Sequence, residues 1–226
     1  MISTFLILTL TIPLFAQSPE PVRPFPPYRI VAPYAKADFP SKPARLCLLN
    51  APRTCYKLDS IRDGSFTKGE VVNFGRAPRA ERHELSDGGS LVLFMASSGG
   101  GSGTTFRLAL LRYSTTGSLD DLLPRTLVDN QSDYALWEEP NLSSMPILLT
   151  ADFLWGAMEA HYGDHRYTVR AYRYDEPSAK YEPVLRYVTK HKYPSADIFD
   201  GARRYPVLRH ERERIVSELE SKIPTL

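Results

Sequence analysis

Two apolar runs in the middle of the chain place the strongest constraint on its fold. The segments SLVLFMAS (90–97) and TFRLALLRY (105–113) are apolar at nearly every position. A strand with one solvent-facing side alternates apolar and polar residues, whereas a strand covered on both faces is apolar almost throughout. We therefore expect two central strands, each buried between other layers of the protein.

Further strand-like segments surround these two runs and are separated by turn-forming residues. Four short ones lie at residues 44–50, 54–60, 70–75 and 81–86. Three longer ones predict a meander, at residues 145–161, 165–175 and 180–193. Asp87-Gly88-Gly89 predicts a hairpin loop before the first central strand, and DEPSA (175–179) predicts the second turn of the meander.

The end of the chain carries a helical pattern. Ile215, Leu219 and Ile223 recur at helical spacing within residues 207–223, and Pro224 would end the helix. We expect this apolar stripe to pack on a sheet. The predicted fold is all-β, with antiparallel strands in hairpins and a meander and a C-terminal α-helix packed on the sheet. The arrangement would be sandwich-like or small propeller-like, and the lack of a fixed repeat disfavours the propeller.

The first part of the chain predicts export and then an extended arm. Residues 1–16 are apolar and uncharged, and they end in Ala16 before polar residues, as a secretory signal peptide does. A retained membrane anchor is the alternative. Residues 17–43 are rich in proline, which predicts an extended arm that lies along the body through Phe25, Tyr28 and Ile30. Residues 44–226 would then form a single all-β domain.

The two cysteines, Cys47 and Cys55, predict a disulfide in a secreted or periplasmic protein. A three-residue turn at Asn50-Ala51-Pro52 would place them opposite each other on adjacent strands. The alternative, a redox or metal pair, lacks the two-residue spacing and a nearby histidine. Closing so short a loop would stabilise the fold by roughly 2–3 kcal/mol in the chain-entropy model.

Charge and hydropathy exclude two broad partner classes. The formal net charge is only +2, and a nucleic-acid-binding domain usually carries a much stronger basic excess. After residue 16, no apolar run approaches the length of about 20 residues that a spanning helix needs. We therefore expect no nucleic-acid partner and no membrane span once the signal peptide is cleaved.

The glycine-rich segment SSGGGSGTT (97–105) lies between the two central strands. A phosphate-binding loop would need Gly-Lys-Ser/Thr, or a third glycine at Thr104 followed by a helix. A nucleophile elbow at Ser102 would also need glycine at position 104. We therefore predict a flexible hairpin loop, with a mobile loop that closes over a ligand as the alternative.

The segment EAHYGDH (159–165) is the best candidate for a metal site. With a three-residue turn centred on Gly163, His161 and His165 would form a cross-strand pair, and Glu159 would share their face. Two imidazoles and a carboxylate suit zinc with an open position for water, as in a metal-dependent hydrolase. In the alternative register, Gly163-Asp164 forms a two-residue turn and the histidines point to opposite faces. Otherwise no cofactor is expected, and no catalytic triad can be assigned.

Charge is distributed unevenly around this segment. Between Arg125 and Arg166 there are seven acidic residues and no Lys or Arg, whereas residues 166–214 hold twelve basic and seven acidic residues. Side chains of the two blocks would pair across the sheet. An aromatic and cationic face is also predicted for ligand binding, comprising Arg166, Arg170, Tyr172, Tyr174, Arg186 and Lys190.

These features favour binding over catalysis. The sequence predicts an exported module of the cell envelope or extracellular space that binds a glycan, a polyanion or a protein. Two alternatives remain open at this point. One is the metal-dependent hydrolase at Glu159, His161 and His165, and the other is a structural component of the envelope.

Overall fold

A computed structural model describes nine parts of the chain. They are residues 28–31, 44–58, 76–100, 103–114, 117–130, 132–156, 159, 163–194 and 207–223. The predicted signal peptide (1–16) and the candidate strand at 70–75 lie outside them. Antiparallel strands and a C-terminal helical segment make up the described chain, which confirms the predicted fold class.

The first sheet has three strands and holds the two cysteines. Its strands are β1 (Tyr28–Val31), β2 (Arg45–Leu48) and β3 (Cys55–Lys57), in the order β1-β2-β3. Tyr28 is buried and β1 pairs with β2, so this part of the proline-rich region is a strand of the sheet, while Ile30 is exposed. Phe25 lies outside the described residues. The division into an arm and one domain stays a prediction.

The second sheet contains the two central strands. Its strands are β4 (Arg76–Glu84), β5 (Ser90–Gly100), β6 (Gly103–Tyr113), β7 (Leu119–Asp121) and β8 (Leu127–Asn130). They follow the order β4-β5-β6-β7. Both β7 and β8 pair with the same edge of β6, β7 near the end of that strand and β8 near its beginning. The third sheet has four strands, β9 (Asp133–Trp137), β10 (Ile147–Leu154), β11 (Arg166–Asp175) and β12 (Lys180–Val188), in the order β12-β11-β10-β9.

Three apolar clusters stack these elements into four layers. One face of the five-stranded sheet packs against the three-stranded sheet, through residues such as Leu46, Val92 and Phe94. Its other face packs against the four-stranded sheet, through residues such as Leu93, Leu110 and Leu148. The far face of the four-stranded sheet carries the C-terminal helical segment. The stacked sheets match the sandwich-like alternative of the prediction.

The central strands are buried on both faces, as their apolar runs predict. Leu91 through Ala96 and Phe106 through Leu111 are all buried, and alternate residues belong to different clusters. Gly100 pairs with Gly103, so the glycine-rich segment connects the two strands as a hairpin. Residues 101 and 102 lie outside the described residues, and closure over a ligand stays a prediction.

The predicted hairpin loop before β5 is confirmed. Glu84 pairs with Ser90, and the Leu85 and Gly89 backbones are hydrogen-bonded across the loop. Gly88 has φ 80°, a left-handed conformation that L-residues with a Cβ adopt only at a cost. The Asp87 side chain accepts a hydrogen bond from the Gly89 amide at 2.8 Å, which fixes the turn.

The predicted disulfide joins Cys47 to Cys55 directly across β2 and β3, with the two Cα atoms 4.1 Å apart. The turn differs from the expected one. The amide of Thr54 donates to the Ala51 carbonyl at 2.8 Å, so a β-turn spans residues 51–54 rather than 50–52. The cross-strand pairing was therefore predictable, whereas the turn that closes it was not.

The predicted C-terminal helix is present in two parts, α1 (Val207–His210) and α2 (Arg212–Lys222), which meet at Glu211. Ile215, Leu219 and Ile223 are buried against the four-stranded sheet, as their spacing predicts. Glu211 is buried as well, and its carboxylate accepts hydrogen bonds from the hydroxyls of Tyr187 (3.0 Å) and Tyr193 (2.6 Å). These bonds fix the helical segment on the sheet.

Candidate functional site

The connection between β10 and β11 holds the segment that the sequence marks as a metal site. Leu154 pairs with Arg166, so the connection comprises residues 155–165. Both tight turns considered from the sequence are therefore wrong, because either would continue the hairpin to His161 and would pair Leu154 with Tyr172 or Arg173 instead of Arg166. The strand β10 ends before that point, and the backbone of His165 instead pairs with Tyr193 through hydrogen bonds of 2.8 and 2.7 Å.

Glu159 and His165 nevertheless lie side by side. Nδ1 of His165 is 2.9 Å from Oε2 of Glu159, and Nζ of Lys192 is 2.7 Å from Oε1. The Gly156 amide also donates to Oε2 at 3.1 Å. A Cβ at Gly156 would lie 2.4 Å from Cδ of Glu159, so only glycine allows this approach. The ion pair with Lys192 is the main reason that the pKa of Glu159 lies below its ordinary value.

The imidazole of His165 is packed as a core group. Its side chain is fully buried, with its ring centroid 3.9 Å from that of Phe153 and 5.8 Å from that of Trp155. Glu159, His165 and Lys192 thus fasten the end of the 155–165 connection to the segment after β12. These contacts form a hydrogen-bonded network of residue types that also occur in metal sites.

The zinc hypothesis stays a prediction, because His161 lies outside the described residues. Two of its three ligands, Glu159 and His165, are brought together. However, Glu159 already uses both of its oxygens, and a metal would have to displace the Lys192 ammonium or share the carboxylate with it. Within the described parts of the chain, no group of three or more potential ligands has the proximity that a metal ion requires.

The predicted aromatic and cationic face divides into two halves. On β11, the side chains of Arg166, Arg170, Tyr172 and Tyr174 alternate along one face, which is the face toward the five-stranded sheet. Tyr172 and Tyr174 pack against the apolar cluster between the sheets, and the ring of Tyr174 lies 5.7 Å from that of Tyr181. The tyrosine half therefore contributes mainly to the core.

Arg170 stands at the boundary between the two halves. Its Nη1 donates to Asp129 on β8 at 2.9 Å, and its Nη2 donates to Asp152 on β10 at 3.1 Å. We call Asp129, Asp152 and Arg170 the Arg170 ion cluster. It links the five-stranded and four-stranded sheets, and it confirms that acidic and basic side chains from the two charge blocks pair with each other.

Burial dominates the electrostatics of the Arg170 ion cluster. Loss of solvent around the Asp129 carboxyl, followed by the charge of Asp152, raises the pKa of Asp129 to about 6. The Arg170 guanidinium opposes this increase only in part. Burial also raises the pKa of Tyr172, which lies beside the cluster.

The other half of the face is exposed and lies at one end of the four-stranded sheet. We define the cationic patch as Leu154, Arg166, Arg186, Val188 and Lys190. Leu154 pairs with Arg166, Arg170 pairs with Arg186, and Thr168 pairs with Val188, so these side chains share one face. Leu154 and Val188 are 40% and 42% exposed, although both are aliphatic. Lys190 follows the strand end and is exposed.

Sequence reasoning missed several members of this region. Leu154 and Val188 were assigned to strands without being recognised as exposed, because alternation alone does not say how far a facing sheet extends. Asp129 and Asp152 were counted within the acidic block, but their shared partner, Arg170, is far from Asp129 in sequence. The only signals in the sequence for the pairing of Arg170 with these carboxylates were its place in a tyrosine-rich strand and the excess of acidic residues before Arg166.

Comparison with known proteins found no matching family model, no similar curated protein and no similar solved structure. Within the ranges that the structure describes, no helix is both long and apolar enough to cross a membrane. The disulfide is of the kind that persists outside the reducing cytoplasm. A functional conclusion must therefore rest on the geometry of the site itself.

Proposed function

We propose that the protein is an exported, non-catalytic binding module that recognises an anionic extracytoplasmic polymer, with an acidic glycan as the foremost ligand. The cationic patch is the binding surface. The observation that carries this proposal is the placement of Arg166 beside exposed Leu154, and of Arg186 next to exposed Val188, on one sheet face.

The chemistry of the patch suits such a ligand. A guanidinium offers a planar fork of donors that matches carboxylate and sulfate groups. Arg166 and Arg186 project from the strands of a sheet, so their positions are fixed more firmly than those of side chains on a loop. The exposed aliphatic groups of Leu154 and Val188 offer contacts to the apolar faces of sugar rings, and exposed apolar patches rimmed by polar residues mark binding sites.

Two independent features support an extracytoplasmic setting. Residues 1–16 have the length and apolar character of a secretory signal. The disulfide between Cys47 and Cys55 fits an oxidising compartment. An acidic polysaccharide presents repeated anionic groups, which suits a patch with several cationic side chains.

The test uses dextran sulfate as the anionic probe and neutral dextran as its control. We expect wild-type protein to bind dextran sulfate, with an affinity that falls as salt is added, because exposed charges are screened. Replacing Arg166 or Arg186 by alanine removes a hydrogen bond to a charged group, worth about 1.5–3 kcal/mol. Each change should therefore weaken binding roughly tenfold or more, as measured by isothermal titration calorimetry.

Arg53→Ala is the matched control. Arg53 is an exposed arginine in the turn between β2 and β3, on the three-stranded sheet, so its removal changes the net charge equally without touching the cationic patch. It should leave the affinity within about twofold, since exposed charges far apart interact weakly. Equal losses in Arg53→Ala and Arg186→Ala, or no binding of dextran sulfate at all, would overturn the proposal.

A further inference from the structure

The Arg170 ion cluster and the cationic patch are neighbours on the same face of the four-stranded sheet. Arg170 on β11 pairs with Arg186 on β12, and cross-strand partners have Cβ atoms about 5 Å apart. Two like charges placed in this way repel each other unless one is neutralised. Asp129 and Asp152 supply that neutralisation, and they lie on the side of Arg170 away from β12.

Asp129 is held in surroundings that make its charge costly. It lines a small cavity between the two sheets, and it is almost fully buried. Apolar side chains from the five-stranded sheet surround it, namely Met95, Phe106, Leu108 and Leu127. The polar and charged groups that face it from the other elements are Ser132, Tyr134, Thr150, Asp152, Arg170 and Tyr172.

Asp129 is the member of the Arg170 ion cluster whose protonation state can change. Asp152 accepts a second hydrogen bond, from the Asn130 amide at 2.8 Å, and it is partly exposed. The hydroxyl of Tyr134 donates to Glu81 at 2.6 Å and so is turned toward β4. Asp129 is buried among apolar side chains and lies near the charge of Asp152, and both features favour its protonated form.

We propose that the protonation state of Asp129 controls the affinity of the cationic patch, so that the anionic ligand binds more tightly in mildly acidic surroundings than at neutral pH. This inference rests on the proposed function and concerns the regulation of the same site. When both carboxylates are ionised, the Arg170 ion cluster carries a net charge of −1. When Asp129 is protonated, the net charge is zero, and the field at Arg186 becomes more favourable to an anion.

The position of Asp129 supports this direction. Burial raises the pKa of Asp129 to about 6, so its proton is taken up between neutral and mildly acidic pH. The charge of Asp129 lies roughly 10 Å from a ligand on the cationic patch, and the effective dielectric constant between them lies between those of protein and water. Removing that charge should therefore change the affinity about threefold to tenfold. The change appears without rearrangement of the fold, because only one proton is added.

Histidines titrate in the same range and must be separated from Asp129. His191 is exposed and follows Lys190, so it lies next to the cationic patch. His165 is buried at the other face of the strand connection, beside Glu159. A substitution at Asp129 removes its carboxyl and leaves both histidines unchanged.

The experiment measures the affinity for dextran sulfate at pH 7.5 and pH 5.0, because sulfate stays ionised at both. Wild-type protein and His191→Gln should both bind about threefold to tenfold more tightly at pH 5.0. Asp129→Asn should bind at pH 7.5 about as tightly as wild type at pH 5.0, and it should lose most of the pH dependence. Asp152→Asn is the second variant, and it should shift the midpoint of the pH dependence downward, because the charge of Asp152 helps to hold the proton on Asp129.

The possible outcomes separate this inference from the proposed function. If wild-type protein binds and Arg186→Ala does not, but Asp129→Asn keeps the full pH dependence, the regulation is wrong and the binding function stands. If dextran sulfate fails to bind at either pH, both fall together. Thermal unfolding of each variant, followed by circular dichroism, verifies that the compared proteins are folded.

Discussion

Replacing Asp129 by asparagine should change how the stability of the protein depends on pH. The substitution keeps the size of the side chain and a hydrogen-bond acceptor for Arg170, but it removes the group that titrates. Because burial raises the pKa of Asp129, the folded protein holds this proton more tightly than the unfolded chain does. Stability from this source is therefore fully present below the unfolded pKa, and it is lost as pH rises through the folded pKa.

The magnitude follows from the two pKa values. The pKa rises from an ordinary value of 3.8 to about 6 in the folded protein. At about 1.4 kcal/mol per pH unit, this difference corresponds to at most about 3 kcal/mol of unfolding free energy lost between pH 4 and pH 7. Asp152 and Arg170 respond to the same proton, so a measured change of about 1–3 kcal/mol is expected.

The assay is urea unfolding of wild type and Asp129→Asn at intervals from pH 4 to pH 7.5, with the disulfide intact. Other carboxylates and the histidines contribute almost equally to both proteins, so the difference in unfolding free energy isolates Asp129. We expect Asp129→Asn to gain stability relative to wild type as pH rises, with most of the gain between pH 4 and pH 6.5. A difference that is constant with pH, or that falls, would refute the reasoning about this carboxyl.

Two further predictions concern the framework that holds the site. Replacing Cys47 and Cys55 together by alanine should lower the unfolding free energy by roughly 2–3 kcal/mol, because the crosslink closes only a short loop, and urea midpoints would measure the loss. An unchanged midpoint would show that the disulfide does not stabilise the fold. Replacing the fully buried Leu219 by alanine should cost about 2–5 kcal/mol through the cavity that it leaves under the sheet. A loss below about 1 kcal/mol would show that the helix is not packed in this way.

The sequence was most informative where the chemistry is local. The apolar runs at 90–97 and 105–113 predicted the central strands because burial on both faces leaves no polar positions. Cys47 and Cys55 were predictable as a pair because short hairpins bring such positions together. The stripe of Ile215 and Leu219 predicted the packed helix, since its period is that of an α-helix.

The candidate site was less predictable because its limits depend on distant parts of the chain. Gly156 is a local signal that β10 ends near Leu154, because glycine weakens a strand, but the apolar residues that follow it in sequence suit a strand that continues toward His161. The exposure of a side chain on β11 depends on the reach of the five-stranded sheet. Arg166 and Tyr172 belong to the same strand and the same face, and yet one meets solvent and the other meets the core.

This boundary explains why a buried carboxyl can act on an exposed surface. Arg170 lies where the five-stranded sheet stops covering β11. Its guanidinium contacts the carboxylates of Asp129 and Asp152. Its cross-strand partner, Arg186, is exposed. A charge placed in the middle of the core would be too far from any ligand, and one on the surface would keep its ordinary pKa. Asp129 is buried between the two sheets, so burial raises its pKa. It is also close enough to the cationic patch for its charge to change the affinity for an anionic ligand.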